Sequence, residues 1–390
     1  MNSDTCILVV TSSKAPEKYI ERVLNFSRSF SSSVHIVYEK KIEEYLERAD
    51  ISSCRDSVVI LIDFVQDKTI NYLKKLESVT AIVGHGRYNS LPAAINLRRA
   101  VKNSRIALFY FEELDKSSIE KVIKFVEMVQ KLREYRLGVI GNHSDIPPWK
   151  RIDASRINKI FGIELYEIPL EELIEEFESA DISPKTLESF LGRATKINVE
   201  SKDIVQALKL YNALKTIAYR YELQGMLLSC RSIFNKLGTT PCVAASLLSD
   251  EGVDVECNMD MPSAISAAVL RSVSGRPSFI GYTSHIKDNR ILLARCTAPL
   301  SIGSSYDVKP TFEYGKGCAI SLEFVPGRIV TLLHIDNLVE KAVIARGRIL
   351  LGRPGLPSLC RTQVVVELRR GIDVYHMIED IGINSFAMSI

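Results

Sequence analysis

The sequence predicts an α/β protein with two Rossmann-like, doubly wound domains followed by a β-rich C-terminal domain, which is an antiparallel sheet or a barrel. Three observations support this fold class. Short runs rich in Val, Ile and Leu alternate with amphipathic segments through the first third of the chain. The same alternation restarts near residue 135. From Pro277 onward, β-branched runs separated by Gly and Pro replace it, which is typical of antiparallel structure.

The first third contains five apolar runs with the length and composition of buried parallel strands. These runs occupy residues 6–13, 34–40, 57–64, 80–86 and 105–113. The segments between them space their apolar residues as helices do. These predicted helices cover residues 18–30, 40–50, 68–78 and 90–103. We therefore place an N-terminal Rossmann-like domain at residues 1–135.

The second α/β domain is assigned to residues 136–276. It begins with a predicted strand at 137–147 and continues through the alternating helix, strand and helix at 154–163, 164–169 and 170–180. The C-terminal domain, residues 277–390, contains six β-branched runs broken by turns. These runs are residues 278–286, 290–299, 318–327, 328–336, 341–352 and 361–370.

Composition narrows the classes of partner. The 390 residues carry a formal net charge of +3, with acidic and basic side chains spread evenly, which argues against nucleic-acid and membrane-surface partners. The eight cysteines form no CxxC pair, so we expect buried free thiols, without a zinc cage or a disulfide framework. The N-terminal apolar run is too short for a signal segment, and a cytoplasmic location is expected.

One segment of the first domain lies where ligands often bind in parallel sheets. His85–Ser90 follows a predicted strand and precedes a predicted helix. It has no glycine pattern that would cradle a phosphate. The alternative is a helix-capping turn, with Asn89 or Ser90 as the N-cap.

Three segments from residue 137 onward carry a family resemblance. They are residues 137–177, residues 229–299, which include PCVAASLLSDEGVDVECNMDMPSAISAA, and the pair CRTQVVVEL and GINSFAMSI near the C-terminus. These segments resemble the L-fucose isomerase and L-arabinose isomerase-like superfamily, in particular its short archaeal and bacterial members. The resemblance covers the last two-thirds of the chain and implies the domain order given above.

The resemblance also implies a metal site, which can be inspected position by position. Members of the superfamily convert aldoses to ketoses with a divalent metal, typically Mn²⁺, held by a Glu, an Asp and a His. Where the family has these ligands, this chain has Asn258, Tyr282 and Ser385. An amide, a phenol and a hydroxyl cannot assemble a Mn²⁺ site, so we expect no metal and no cofactor.

A relocated site is the alternative. Asp254, Glu256, Asn258 and Asp260 alternate with apolar residues, so a strand would place all four on one face. Glu256 and Asp260 could then act as an acid/base pair or a weak cation site, assisted by a histidine such as His285 or His334. The simpler interpretation is a solvated strand face, with His334 as an ordinary strand histidine.

Two functions follow from these residues. The first is a non-catalytic, isomerase-like binding or assembly subunit of carbohydrate metabolism, which takes a monosaccharide and forms a homo-oligomer or a hetero-oligomer with an active relative. The second is an active aldose–ketose isomerase that uses the relocated groups.

Overall fold

The computed structural model describes residues 5–42, 54–74, 76, 78–101, 106–369 and 374–390. Its contacts divide the chain into two compact units, residues 1–130 and 131–390. The second unit contains both a parallel sheet and a barrel. The domain limits expected from the sequence, 135/136 and 276/277, remain predictions.

The first unit is built on a five-stranded parallel sheet with the strand order β2-β1-β3-β4-β5. Its strands are β1 (Thr5–Thr11), β2 (Ser33–Tyr38), β3 (Asp56–Leu61), β4 (Val79–His85) and β5 (Ala107–Phe111). Its helices are α1 (Glu17–Arg28), α2 (Asp67–Leu73), α3 (Ser90–Ala100) and α4 (Lys116–Arg133), which continues past the unit boundary. All five predicted strands are confirmed. The helix expected at 40–50 falls largely outside the described residues.

Both faces of the three central strands, β1, β3 and β4, are covered, which explains why these strands are mainly apolar. Along β1, Leu8 and Val10 belong to one buried cluster, whereas Ile7 and Val9 belong to another. The first cluster includes residues of α2 and α3, and the second includes residues of α1 and α4. A strand buried on two sides has no solvated face, so every position favours an apolar residue.

The turn before α3 confirms the expected N-cap position, but the capping hydrogen bond is not formed. Asn89 occupies the N-cap position with φ +57°, but its side chain makes no capping hydrogen bond. The Ser90 hydroxyl instead accepts a hydrogen bond from the His85 amide at 3.0 Å and donates one to the Leu61 carbonyl. The serine therefore ties the ends of β3 and β4 together.

The expectation of free thiols alone was wrong for one pair. Cys6 on β1 and Cys54, which precedes β3, form a disulfide with a Cα–Cα distance of 5.8 Å. Forty-eight positions separate them in sequence, and the parallel pairing of β1 with β3 brings them together. The other six cysteines are free thiols.

The second unit begins with a four-stranded parallel sheet of order β10-β9-β6-β7. These strands are β6 (Arg136–Ile140), β7 (Glu164–Ile168), β9 (Gly225–Leu227) and β10 (Asp254–Glu256). The helices of this part are α5 (Ala154–Phe161), α6 (Leu170–Ser179), α7 (Pro184–Arg193), α8 (Ser201–Arg220), α9 (Cys230–Leu237), α10 (Cys242–Asp250) and α11 (Met261–Ser274). The parallel sheet agrees with the expected α/β texture, while its assignment as a second Rossmann-like domain remains a prediction.

The C-terminal part contains a closed antiparallel barrel of order β11-β12-β17-β16-β15-β18. Its strands are β11 (Phe279–Lys287), β12 (Arg290–Arg295), β15 (Ile329–Ile335), β16 (Ala342–Leu351), β17 (Thr362–Leu368) and β18 (Ser385–Ser389). A last helix, α12 (Val374–Ile381), precedes β18. Of the two alternatives left open by the sequence, the barrel is confirmed.

The strand composition of the barrel differs from expectation in two places. The apolar run at 318–327 forms β14 (Ala319–Glu323), which pairs with β13 (Ser305–Lys309) in a separate three-stranded sheet with β8 (Ala194–Ile197). The barrel is closed instead by β18, which pairs with β11 and β15. In the described part of the chain, no helix combines the length and hydropathy of a membrane span.

Candidate functional site

Two of the three positions that the family resemblance assigns to metal ligands, Asn258 and Tyr282, line one pocket with the buried Arg295, and the third, Ser385, pairs with Tyr282. Tyr282 on β11 and Ser385 on β18 are partners in the antiparallel register. The Arg295 guanidinium, at the end of β12, lies 4.6 Å from the centre of the Tyr282 ring. Asn258 follows Cys257, whose sulfur accepts a hydrogen bond from Arg295 at 3.4 Å.

Arg295 forms a buried ion pair with Glu256. The two side chains are almost completely buried, and Arg295 Nη2 donates to Glu256 Oε1. The second carboxylate oxygen, Oε2, accepts from the backbone amides of Asn258 at 2.8 Å and Asp260 at 2.7 Å. Both oxygens of Glu256 are therefore engaged, and a guanidinium neutralises their charge.

Asp260 is also engaged through both oxygens. Its Oδ1 caps α11 by accepting from the Ser263 amide at 3.2 Å. Its Oδ2 accepts from the Ser385 hydroxyl at 3.4 Å, and that hydroxyl also contacts the Ser263 hydroxyl. The carboxylate thus joins the start of α11 to the start of β18.

The expected row of polar side chains on one strand face does not form. Strand β10 ends at Glu256, and the chain turns through Met259, which has φ +53°. Asp254 is buried and receives two hydrogen bonds of 2.7 Å from Arg271. Neither a solvated face nor an aligned set of carboxylates is correct, because three of the four side chains are buried with separate partners. Polar and apolar residues alternate along this segment, but only the first three of them, Asp254–Glu256, form a strand, and the rest form a turn.

The two histidines considered from the sequence, His285 and His334, differ in solvent exposure. His334 on β15 is buried, and its Nδ1 lies 2.9 Å from the Ser385 carbonyl oxygen, so the ring links β15 to β18. Burial lowers the pKa of His334, which favours the neutral ring. His285 on β11 is exposed. His334 therefore fits the interpretation as a strand histidine whose hydrogen bond is structural.

The donor set at the three substituted positions does not fit Mn²⁺. This ion prefers carboxylate oxygens and imidazole nitrogen, whereas Asn258, Tyr282 and Ser385 offer three uncharged groups. Burial raises the pKa of Tyr282, so the phenol keeps its proton. The Arg295 cation also lies against the Tyr282 ring, where a second cation would be repelled.

A polar cleft opens beside this cluster, at the carboxyl ends of β6, β7 and β9. This is the usual ligand position in parallel sheets, and the volume of about 680 Å³ is in the range of small-molecule sites. The polar or charged residues lining it include Asn142, Asp145, Lys150, Glu171, Arg231 and Asn258. The Lys150 ammonium donates to the Asn258 carbonyl at 3.2 Å, which links the cleft wall to the buried cluster.

Sequence reasoning missed both Arg295 and the cations of the cleft. Arg295 directly follows the apolar residues ILLA. A charged residue at the end of such an apolar strand could have indicated a buried ion pair. Lys150 and Arg231 follow the ends of β6 and β9 along the chain. Their position after parallel strands could have indicated the cleft, but many surface residues share that position.

Two parallel sheets and a closed barrel define an α/β protein, and its polar cleft at the strand ends has the position and size of small-molecule sites. No family model matches the chain. The chain is similar to several proteins named sulfoquinovose isomerase. That of Priestia megaterium is 21% identical over 323 residues, which cover 77% of this chain and 70% of the relative.

Two further relatives carry the same name. The protein of Alkalicoccus urumqiensis is 22% identical over 329 residues, covering 75% of this chain and 71% of the relative. The protein of Clostridium sp. (strain MSTE9) is 24% identical over 310 residues, covering 73% and 67%. The similarity is therefore to sugar isomerases. The narrower resemblance to the L-fucose and L-arabinose isomerase superfamily remains a prediction.

Proposed function

We propose that this chain is a sugar-isomerase-like protein of carbohydrate metabolism that lacks a Mn²⁺-dependent isomerase site and acts as a non-catalytic binding or assembly subunit. One observation carries the proposal. The buried Glu256–Arg295 ion pair adjoins Asn258 and Tyr282, two of the three substituted ligand positions, and this internal cation supports the absence of a metal there. The similarity to sulfoquinovose isomerases supports the sugar-isomerase part.

The cleft supports a binding role. Lys150 and Arg231 bring cationic groups to a cavity of sugar-compatible size, and Asn142 and Asn258 add hydrogen-bonding amides. Sulfoquinovose, a sugar that carries a sulfonate, is the first ligand to test because the relatives are named for it. The cationic side chains would pair with the sulfonate, and the amides with sugar hydroxyls.

The first experiment measures metal and turnover on the full chain. We expect no Mn²⁺ to remain after loading and desalting, because the donor set is uncharged, and no isomerisation of sulfoquinovose or common aldoses. The Priestia megaterium relative serves as the positive control for turnover. About one retained Mn²⁺ per chain together with turnover would overturn the proposal.

Ligand binding is measured separately by calorimetry. An Arg231→Ala variant should weaken sulfoquinovose binding by about tenfold or more, because a charge-assisted hydrogen bond is lost. Arg290→Ala is the matched control, since Arg290 lies on the barrel strand β12 and does not line the cleft. Equal affinities for the two variants would remove the cleft from the proposal.

The alternative is an active isomerase with a relocated acid/base or metal site. Glu256 and Asp260 are its candidate groups, and both carboxylates are fully engaged in the contacts described above. If the wild-type chain does turn over a sugar, Glu256→Gln tests the relocated site. Loss of turnover in a folded variant would favour the alternative.

The assembly role concerns oligomers with like or unlike chains. Light scattering on the purified chain tests the proposed homo-oligomer. Native mass spectrometry after mixing with an active isomerase from the same source tests the hetero-oligomer. A monomer that neither joins the isomerase nor binds a sugar would contradict a binding or assembly function.

A further inference from the structure

Five of the six free cysteines meet in one small pocket beside Arg295. The pocket has a volume of about 150 Å³, and its lining includes Cys230, Cys242, Cys257, Cys296 and Cys360 together with Glu313. These residues come from helix starts and loops that are far apart in sequence. Cysteines are the ligands that soft and borderline cations prefer, so the pocket differs chemically from a Mn²⁺ site.

Three of these residues place their ligand atoms within reach of one ion. The Cys296 sulfur, the Cys360 sulfur and a Glu313 oxygen all lie within 4.8 Å of one another. Cys296 follows β12, Glu313 lies in the turn between β13 and β14, and Cys360 precedes β17. Each comes from a different loop, so an ion bound to all three would join these loops.

The distances match a tetrahedral zinc site. Each sulfur donates to a different oxygen of Glu313, with 3.5 Å from Cys296 to Oε2 and 3.3 Å from Cys360 to Oε1. With Zn–S about 2.3 Å and Zn–O about 2.0 Å, the sulfur–oxygen edge of a zinc tetrahedron is about 3.5 Å. Each thiol–carboxylate contact is therefore close in length to one edge of such a tetrahedron.

The surroundings add a counter-charge. Cys242 packs in the same small cluster as Cys296 and Cys360, but its sulfur is not among the ligand atoms that all lie within 4.8 Å of one another. Arg295 lines the pocket while its Nη1 is buried without a hydrogen-bond partner in the described part of the chain. A zinc ion with thiolate and carboxylate ligands carries a net negative charge, which would pair with that unmatched N–H group.

We propose that Cys296, Cys360 and Glu313 form a structural zinc site, with a water molecule completing the tetrahedron. Binding replaces the protons of the coordinating thiols, which pass to solvent, and no group is oxidised or reduced. The ion stabilises the fold by holding the turn at Glu313 and the loop at Cys360 against the end of β12. This proposal is independent of the non-catalytic assignment.

The test uses the freshly purified, reduced full chain with Zn²⁺, Co²⁺ and Mn²⁺ as separate probes. We expect about one Zn²⁺ per chain to survive desalting, and the Co²⁺ form to show thiolate-to-cobalt charge-transfer absorption. Retained zinc without this absorption would place the ion elsewhere and overturn the proposal. Mn²⁺ retention is scored separately, so failure of the zinc site leaves the proposed function testable.

Substitutions of the proposed ligands test whether the zinc ion binds at this pocket. Cys360→Ser should weaken Co²⁺ binding and reduce the charge-transfer absorption, because one of two thiolates is lost, and Glu313→Gln should weaken zinc binding by at least about tenfold. Both residues are at least partly exposed and lie in loops, so the folded state should survive. Glu323→Gln is the matched control, because Glu323 lies on β14 outside the pocket and should leave zinc binding unchanged. A Cys296–Cys360 disulfide in the fresh protein, or equal zinc affinity in all variants, would overturn the proposal.

Discussion

Arg295 organises the candidate site at the level of single residues. Its guanidinium contacts the Glu256 carboxylate, the Cys257 sulfur and the Tyr282 ring. Isolated ions are costly to bury, and this one is compensated mainly by a carboxylate whose other oxygen binds two backbone amides. Removing either partner leaves an uncompensated charge, which makes the pair sensitive to mutation.

Glu256→Gln tests this sensitivity. The substitution keeps the size of the side chain but removes the charge facing Arg295, and we expect it to destabilise the fold by about 3–5 kcal/mol. Urea denaturation followed by circular dichroism measures the loss. Arg290→Ala, which breaks the exposed pair with Glu367, is the control and should cost about 1 kcal/mol or less. Equal losses in the two variants would show that the buried pair has no special role.

Among the secondary-structure elements, α11 and β18 complete the environment of the site. The Asp260 carboxylate caps α11 and contacts Ser385 at the start of β18. The β18 strand in turn closes the barrel between β11 and β15. A single capping residue therefore connects a helix start to the closing strand.

Asp260→Ala should destabilise the protein by about 1 kcal/mol through the lost N-cap, with a further loss from the Ser385 contact. Asp260→Asn is the matched variant, because asparagine also caps helices well and should recover most of the stability. Urea denaturation of both variants measures the difference. If alanine and asparagine destabilise equally, the carboxylate charge matters more than the cap.

At the scale of the whole molecule, each unit contains a buried histidine with a lowered pKa. Burial lowers the pKa of His85 in the first unit to about 4. Burial also lowers the pKa of His334 in the second unit. Each ring stays neutral in the fold, while the unfolded chain takes up a proton near pH 6.5.

The pH dependence follows from this difference. Between pH of about 6.5 and about 4, the unfolded state binds protons that the folded state does not, so the free energy of unfolding should fall as the pH falls. Urea denaturation across this range measures the slope. His85→Gln should flatten the slope, and parallel curves for the variant and the wild type would contradict the assignment.

The amino-acid pattern alone predicted the five strands of the first sheet, the restart of the α/β texture and the β-rich C-terminal part. These features depend on local periodicity and on strands buried on both faces, which composition records directly. The substituted positions Asn258, Tyr282 and Ser385 could likewise be compared with the family pattern without coordinates.

Tertiary structure decided the rest, because the decisive contacts join residues far apart in the chain. Pairing of Glu256 with Arg295, closure of the barrel by β18 and the convergence of Cys296, Glu313 and Cys360 leave no local pattern. The alternation around Glu256 misled for the same reason, since periodicity cannot show where a short strand ends and a buried turn begins. Sequence determined which chemical groups were present, and folding determined which of them meet.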